Sequence, residues 1–243
     1  MTGATQRDRN RVDTDIRIRT VARKLLVGHG PQGVTLRAIA REMSITAPAL
    51  YRYYNSFEDL IGQVCTDICA DLAVELTEGL AAVPVDDTTG QVFAVCRGFR
   101  AWAIRHPAEF SLVFASPDGM VGRTEQNADD PFGRVFLTVA ARVLAARDLA
   151  VPADADVPAE LRADLADFRD ALIRTLAATG IDLPRDLFPL GAAYIMLRFW
   201  VRLYGQVALE VFGRLPFRMS DPEPMFESII TELAREVGLP LPR

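Results

Sequence analysis

The sequence predicts an all-α protein, a small three-helix unit followed by a larger helical bundle. Apolar residues recur at three- and four-residue spacing from Ile18 to Val237, and no alternating run of β-branched residues bounded by turn signals occurs. Charge divides the chain near residue 55: residues 1–55 carry ten basic and four acidic side chains, and the remainder carries seventeen and twenty-eight, so +6 is followed by −11. With 243 residues, 24% charged and 50% hydrophobic, and a mean hydropathy of +0.13, the composition is that of a globular chain with a substantial core, not of a disordered one. The net charge of −5 taken alone disfavours a polyanionic partner, whereas the split directs such a partner to the basic part.

The first helix is expected over about 13–27, because Ile18, Val21, Ala22, Leu25 and Leu26 form one stripe while Arg17, Arg19, Arg23 and Lys24 lie off it. Residues 1–14, with Arg7, Arg9 and Arg11, read as a flexible basic arm. Gly28, Gly30, Pro31 and Gly33 end the helix. Thr35 then caps a second helix with Leu36, Ile39, Ala40 and Met43 inward, and after a tight turn at Ser44 and Ile45, Thr46 caps a third over about 47–53. Pro48 sits in the first turn of that helix, where its missing N–H is harmless. Two short helices joined this closely form a helix-turn-helix, with Leu50 plugging the shared core and Ala47, Ala49, Tyr51, Arg52 and Tyr53 facing outward. Guanidinium and hydroxyl groups suit phosphates, and short apolar groups suit base edges. A bundle unit whose basic face merely meets water is the alternative reading, but it does not require Tyr51 to Tyr54 to cluster.

The runs Gly33-Val34-Thr35-Leu36-Arg37-Ala38-Ile39-Ala40, Ala47-Pro48-Ala49-Leu50-Tyr51-Arg52-Tyr53-Tyr54 and Ser56-Phe57-Glu58-Asp59-Leu60 resemble the DNA-binding domain of the TetR family of bacterial transcription regulators. The resemblance spans about 15–62 and implies that helix three lies in a major groove. It makes Pro48 and Ala49 candidates for base contact, with Thr35, Arg37, Thr46, Tyr51 and Tyr53 at the backbone or the edge of the footprint. Ser44 stands where the family usually has glycine, so it must adopt or avoid a positive φ, and Phe57 replaces a common lysine.

Ser56 and Asp59 form a capping box for helix four, expected to end near 81. Further helices are expected at about 89–106, 107–115, 131–147, 157–179, 184–212 and 222–237, making residues 61–243 the effector-binding and dimerisation domain after a head at 15–60. The 184–212 helix has two apolar seams. One holds Leu190, Tyr194, Leu197, Val201, Tyr204, Ala208 and Val211, and the other Ala193, Met196, Trp200, Leu203 and Val207, so it needs cover on two sides. A homodimer interface is therefore expected at Tyr194, Leu197, Val201, Tyr204 and Ala208, joined by Phe226, Ile230 and Leu233 of the last helix; burial within one chain is the alternative. The stretch Trp200 to Gly205 is similar to the family's Trp-His-Gly type of C-terminal domain, with Tyr204 in place of histidine. Known members are homodimers with an effector pocket in the larger domain, and the resemblance implies the same here. Candidate pocket residues are Phe93, Cys96, Arg100, Trp102, Phe110, Phe114 and Trp200, with a core stripe as the alternative.

Other chemistry finds little support. His29 and His106 lie far apart, and neither Cys-x-x-Cys nor His-Glu-x-x-His occurs, so no metal and no cofactor are expected. Cys65 and Cys69 share a helix face, which admits a thiol sensor, but Asp67 and Asp71 make a poor setting for a thiolate. No phosphate loop or nucleophile elbow is present, and an enzyme is not expected. The polar N-terminus lacks a secretory pattern and the longest apolar run, Leu187 to Leu197, is too short for a span, so the reading is cytoplasmic and without a membrane partner. The implied function is a repressor that leaves a palindromic double-stranded DNA operator when a small apolar or amphipathic effector binds. An all-helical small-molecule-binding protein and a thiol-based redox regulator are the alternatives.

Overall fold

The computed structural model describes residues 5–115, 131–145 and 149–241. Within them the elements are α1 (Gln6–His29), α2 (Leu36–Glu42), α3 (Ala47–Leu50), α4 (Phe57–Ala81), α5 (Thr88–Arg105), α6 (Pro107–Phe110), α7 (Pro131–Ala145), α8 (Arg162–Ala178), α9 (Leu190–Val211) and α10 (Glu223–Glu236). Among the described residues there is no strand. These residues form two compact units, one of 5–70 with 106–115 and the other of 71–105, 131–145 and 149–241. Residues 61–70 and the α6 segment thus belong with the head, beyond the boundary expected at residue 60.

In the first unit, α1 begins at Gln6, not near residue 13. Thr5 and Asp8 form a capping box, with the Asp8 N–H donating to Thr5 Oγ1 at 3.2 Å and the Thr5 N–H donating to Asp8 at 3.1 Å. Of the expected flexible arm, residues 6–14 are therefore helical, and residues 1–4 lie outside the described residues. Ile18, Ala22, Leu25 and Leu26 are buried, as the stripe requires. Gly30 then ends the helix at φ 69°, a conformation natural to glycine, while its N–H donates to the Leu26 carbonyl at 2.8 Å. Thr35 caps α2 by accepting from the Ala38 N–H at 3.1 Å.

The turn into α3 closes through the Ile45 N–H, which donates to the Ala40 carbonyl at 3.0 Å and brings Ser44 to φ 56°. Leu50 is 1% exposed, and Ile18 of α1 and Ile39 and Ala40 of α2, which packs against α3, are buried as well. Helical geometry in α3 ends at Leu50, and single turns carry the chain to Tyr54, whose N–H returns to the Leu50 carbonyl at 3.1 Å. Ser56 caps α4 by accepting from the Asp59 N–H at 3.1 Å, and Leu60, Val64 and Ile68 are buried. At α6, Glu109 is 3% exposed and accepts from Arg23 Nε of α1 at 2.5 Å.

The second unit packs α5 against α7, α9 and α10, and α8 against α7 and α9. One core region joins Leu137 and Ala141 of α7, Leu165 and Leu176 of α8, and Phe188, Ala192 and Ala193 at the start of α9. The expected helix at 157–179 begins at Arg162 after a single 3₁₀ turn, and α9 begins at Leu190, after Pro189, instead of at 184.

Because Ser44 bears a side chain in the left-handed region, Ser44→Gly is expected to stabilise the protein by about 0.5–1 kcal/mol, the relieved strain exceeding the added chain entropy. Chemical denaturation checks this, and a loss of stability would contradict it.

Candidate nucleic-acid interface

Four side chains set the position of α3. Arg19 of α1 binds Asp15 one turn away and, through Nε, Asp67 of α4 at 2.5 Å. The Tyr54 hydroxyl donates to the same Asp15. Tyr54 is 5% exposed, and its burial, followed by this hydrogen bond, holds the phenol well above its ordinary pKa. The turn that closes α3 is thereby tied to α1, and α1 to α4. Arg23 is likewise engaged inward, on Glu109, which also lies 2.6 Å from His106 Nδ1.

The opposite face is open. Thr35, Arg37, Thr46, Pro48, Tyr51 and Arg52 are exposed, Tyr51 at 58%, and Ala47, Ala49 and Tyr53 are half-buried. Among the described residues neither Arg37 nor Arg52 makes an ion pair. The Thr35 hydroxyl accepts the cap bond and keeps its own proton to donate, and Thr46 makes no side-chain cap bond. The nine sequence-predicted residues, with their cations, hydroxyls and small apolar groups, are thus all exposed or half-buried on α2, α3 and the turns that flank them. Such a surface can bind phosphate and read groove edges. The tie through Asp15, Arg19, Tyr54 and Asp67 escaped the sequence reading; the spacing of Asp15 and Arg19 was visible, but their long-range partners were not.

The expected effector residues do not come together in one unit. Phe110 and Phe114 lie in the first unit, their rings 5.1 Å apart, because α6 is held on α1. Phe93, Cys96, Trp102, Arg100 and Trp200 lie in the second. Phe93, Cys96 and Trp102 are buried there, and Arg100 binds Glu210 at 2.9 Å while lying over the Phe226 ring. Trp200 instead joins Phe99, Phe132 and Phe136 at centroid distances of 5.8, 5.9 and 6.1 Å and stacks on Tyr204 at 5.7 Å. Phe132 and Phe136 are absent from the sequence-based set, since their α7 spacing reads as ordinary core.

The expected dimer residues divide as well. Leu197 and Val201 are 37% and 58% exposed, and Tyr194, Tyr204 and Ala208 are half-buried. Phe226, Ile230 and Leu233 are buried at 1%, 0% and 2%, so they are core of the single chain and not interface: α10 turns its apolar stripe onto α9 and α5. The thiols of Cys65, Cys69 and Cys96 are all buried, and burial pushes that of Cys65 up to about 12. At neutral pH it has almost no reactive thiolate. Among the described residues no group of three or more His, Cys, Asp or Glu is placed to hold a metal ion.

Two family models match the chain: "Bacterial regulatory proteins, tetR family" over residues 18–64, which contains this surface, and "Tetracyclin repressor-like, C-terminal domain" over residues 92–233. The chain belongs to the TetR family. Its relatives include the HTH-type transcriptional regulators Rv1816 of Mycobacterium tuberculosis and Mb1846 of Mycobacterium bovis, each 27% identical over 223 residues that cover 90% of this chain and 89% of the relative. The fold is similar to the crystal structure of a candidate regulatory protein, SCO4313, with a TM-score of 0.62, 26% identity, and coverage of 94% of this chain and 98% of that one. A protein of unknown function from Rhodococcus sp. RHA1 shares the fold at a TM-score of 0.55 and 15% identity over 92% of this chain and 94% of that one.

For this TetR-family head, Tyr54→Phe is expected to cost about 1–2 kcal/mol, because Asp15 loses a buried donor. Denaturant unfolding checks it. Native protein is also expected to leave Cys65 and Cys69 unmodified by iodoacetamide until it unfolds; fast modification of the folded protein would contradict their burial.

Proposed function

We propose that this TetR-family protein is a homodimeric, ligand-responsive repressor that occupies a palindromic operator and releases it when a small apolar or amphipathic effector binds. The observation that carries the reading is the division of arginines in the head. Arg19 and Arg23 are held inward, whereas Arg37 of α2 and Arg52, next to Tyr51 after α3, are exposed with no ion pair among the described residues. Thr35, Thr46, Ala47, Pro48, Ala49 and Tyr53 complete the surface assigned to DNA.

The outward seam of α9 supports dimerisation: Leu197, Val201, Leu209 and Phe212 are exposed at 37–58%, with Tyr194, Tyr204 and Ala208 beside them. Two heads related by a two-fold axis would meet half-sites one DNA turn, or a multiple of it, apart. The aromatic cluster of Phe99, Phe132, Phe136, Trp200 and Tyr204 supports an apolar effector. The stretch from Trp200 to Gly205 supports the Trp-His-Gly type of C-terminal domain. Release requires that the effector bind the DNA-free conformer more tightly than the bound one. Among the described residues no helix is long and apolar enough to cross a membrane, which agrees with a cytoplasmic site of action. Burial of the cysteines weighs against a thiol sensor.

The test starts by selecting duplexes from a randomised library with the wild-type protein. Arg52→Ala and Tyr51→Ala are each expected to weaken binding to the selected duplex by about 1–3 kcal/mol without altering the sedimentation of the free protein. Val201→Asp is expected to yield a monomer. Unchanged affinity in both head variants would leave an all-helical small-molecule-binding protein as the better reading.

A further inference from the structure

The stripe of α1 that faces the core of the first unit runs through Ala22, Ile18 and Asp15, and one turn further towards the N-terminus it reaches Arg11. Ile18 and Ala22 are fully buried, and Asp15 is bound to Arg19 and Tyr54. Arg11 is exposed and makes no ion pair among the described residues. The core side of the helix therefore ends in a cation with no core to meet it. Asp8, one turn further on, feels the charge of Arg11, but its carboxylate takes the N–H and hydroxyl of Thr5 in the helix cap, and Asp13 lies on another side of the helix.

Its position is fixed relative to the α3 surface. Tyr54, immediately after Tyr51, Arg52 and Tyr53, donates to Asp15, and a helix rises about 1.5 Å per residue, so Arg11 stands about 6 Å beyond that tie. We propose that Arg11 binds a DNA phosphate beside the groove occupied by α3, the rigid first turns of α1 extending the interface beyond the helix-turn-helix. This rests on the DNA-binding reading above. Arg11 lies in the first turns of α1, ahead of residues 18–64, over which the N-terminal family model matches.

A phosphate contact contributes to affinity through counterion release, about 0.9 to the slope of log Kobs against log salt, and carries no base information. The experiment measures that slope for the full-length protein on a duplex selected by the wild type, from about 50 to 200 mM salt. Arg11→Ala is expected to reduce the slope by about 1 and to keep the same preference among selected sequences, whereas Arg11→Lys retains the slope. Val12→Pro keeps every charge but interrupts α1 ahead of the head; it is expected to lose what Arg11→Ala loses. A wild-type slope in Arg11→Ala overturns the proposal while leaving the DNA-binding reading intact. A wild-type slope in Val12→Pro overturns the rigid helical placement. If the wild type enriches no duplex, the DNA-binding reading fails and this proposal fails with it.

Discussion

Arg19 is the joint of the head. It binds Asp15 on its own helix and Asp67 on α4, and Asp15 in turn receives the hydroxyl of Tyr54 at the end of the α3 turn. Hydrogen bonds to charged groups contribute about 1.5–3 kcal/mol when buried, and less here because Asp15 and Asp67 remain 31% and 44% exposed. The geometric consequence exceeds the energetic one. A helix of only four residues has little stability of its own, so its direction comes from Leu50 inside and from this tie beside it. The turn that carries Tyr51, Arg52 and Tyr53 is thereby pinned, and Tyr51 and Arg52 stay exposed.

The same logic orders the charge of the whole chain. A net −5 conceals a basic head and an acidic remainder, and the structure refines the division by neutralising Arg19 and Arg23 inside the head. In the second unit most arginines with ion pairs are matched locally, as Arg97 with Glu227, Arg100 with Glu210 and Arg202 with Glu236. An acidic body of this kind repels a polyanion, which confines contact to the head. The exposed apolar seam of α9 lies in the second unit, so the surface proposed to meet a second copy and the surface proposed to meet DNA belong to different units.

The helices were legible where an apolar stripe and a cap coincided: α2 between Thr35 and the Ser44 turn, α4 from Ser56, and α5 up to the Pro107 stop. Residues 6–14 lack an apolar stripe, which hid the first turns of α1, although Thr5 and Asp8 carry the spacing of a capping box. The outer α3 face was legible because a short helix with Leu50 inward leaves few choices for Tyr51 and Arg52. Three members of the expected dimer set belong to the core of the single chain, and the reason is physical. Phe226, Ile230 and Leu233 form a stripe, and a stripe states that a face is covered without stating by which chain. The expected effector set divides between the two units for a related reason. Phe110 and Phe114 sit close in sequence to α5, but the pull of Arg23 on Glu109 assigns their segment to the head.

The most direct test of the central claim is a hydroxyl-radical footprint of the protein on a duplex selected by it. The account predicts two symmetry-related patches of backbone protection, centred about 10 base pairs apart or a whole multiple of that, with the major groove between each pair of protected strands turned towards the protein. A single unpaired patch, a spacing unrelated to the helical repeat, or no protection would contradict it.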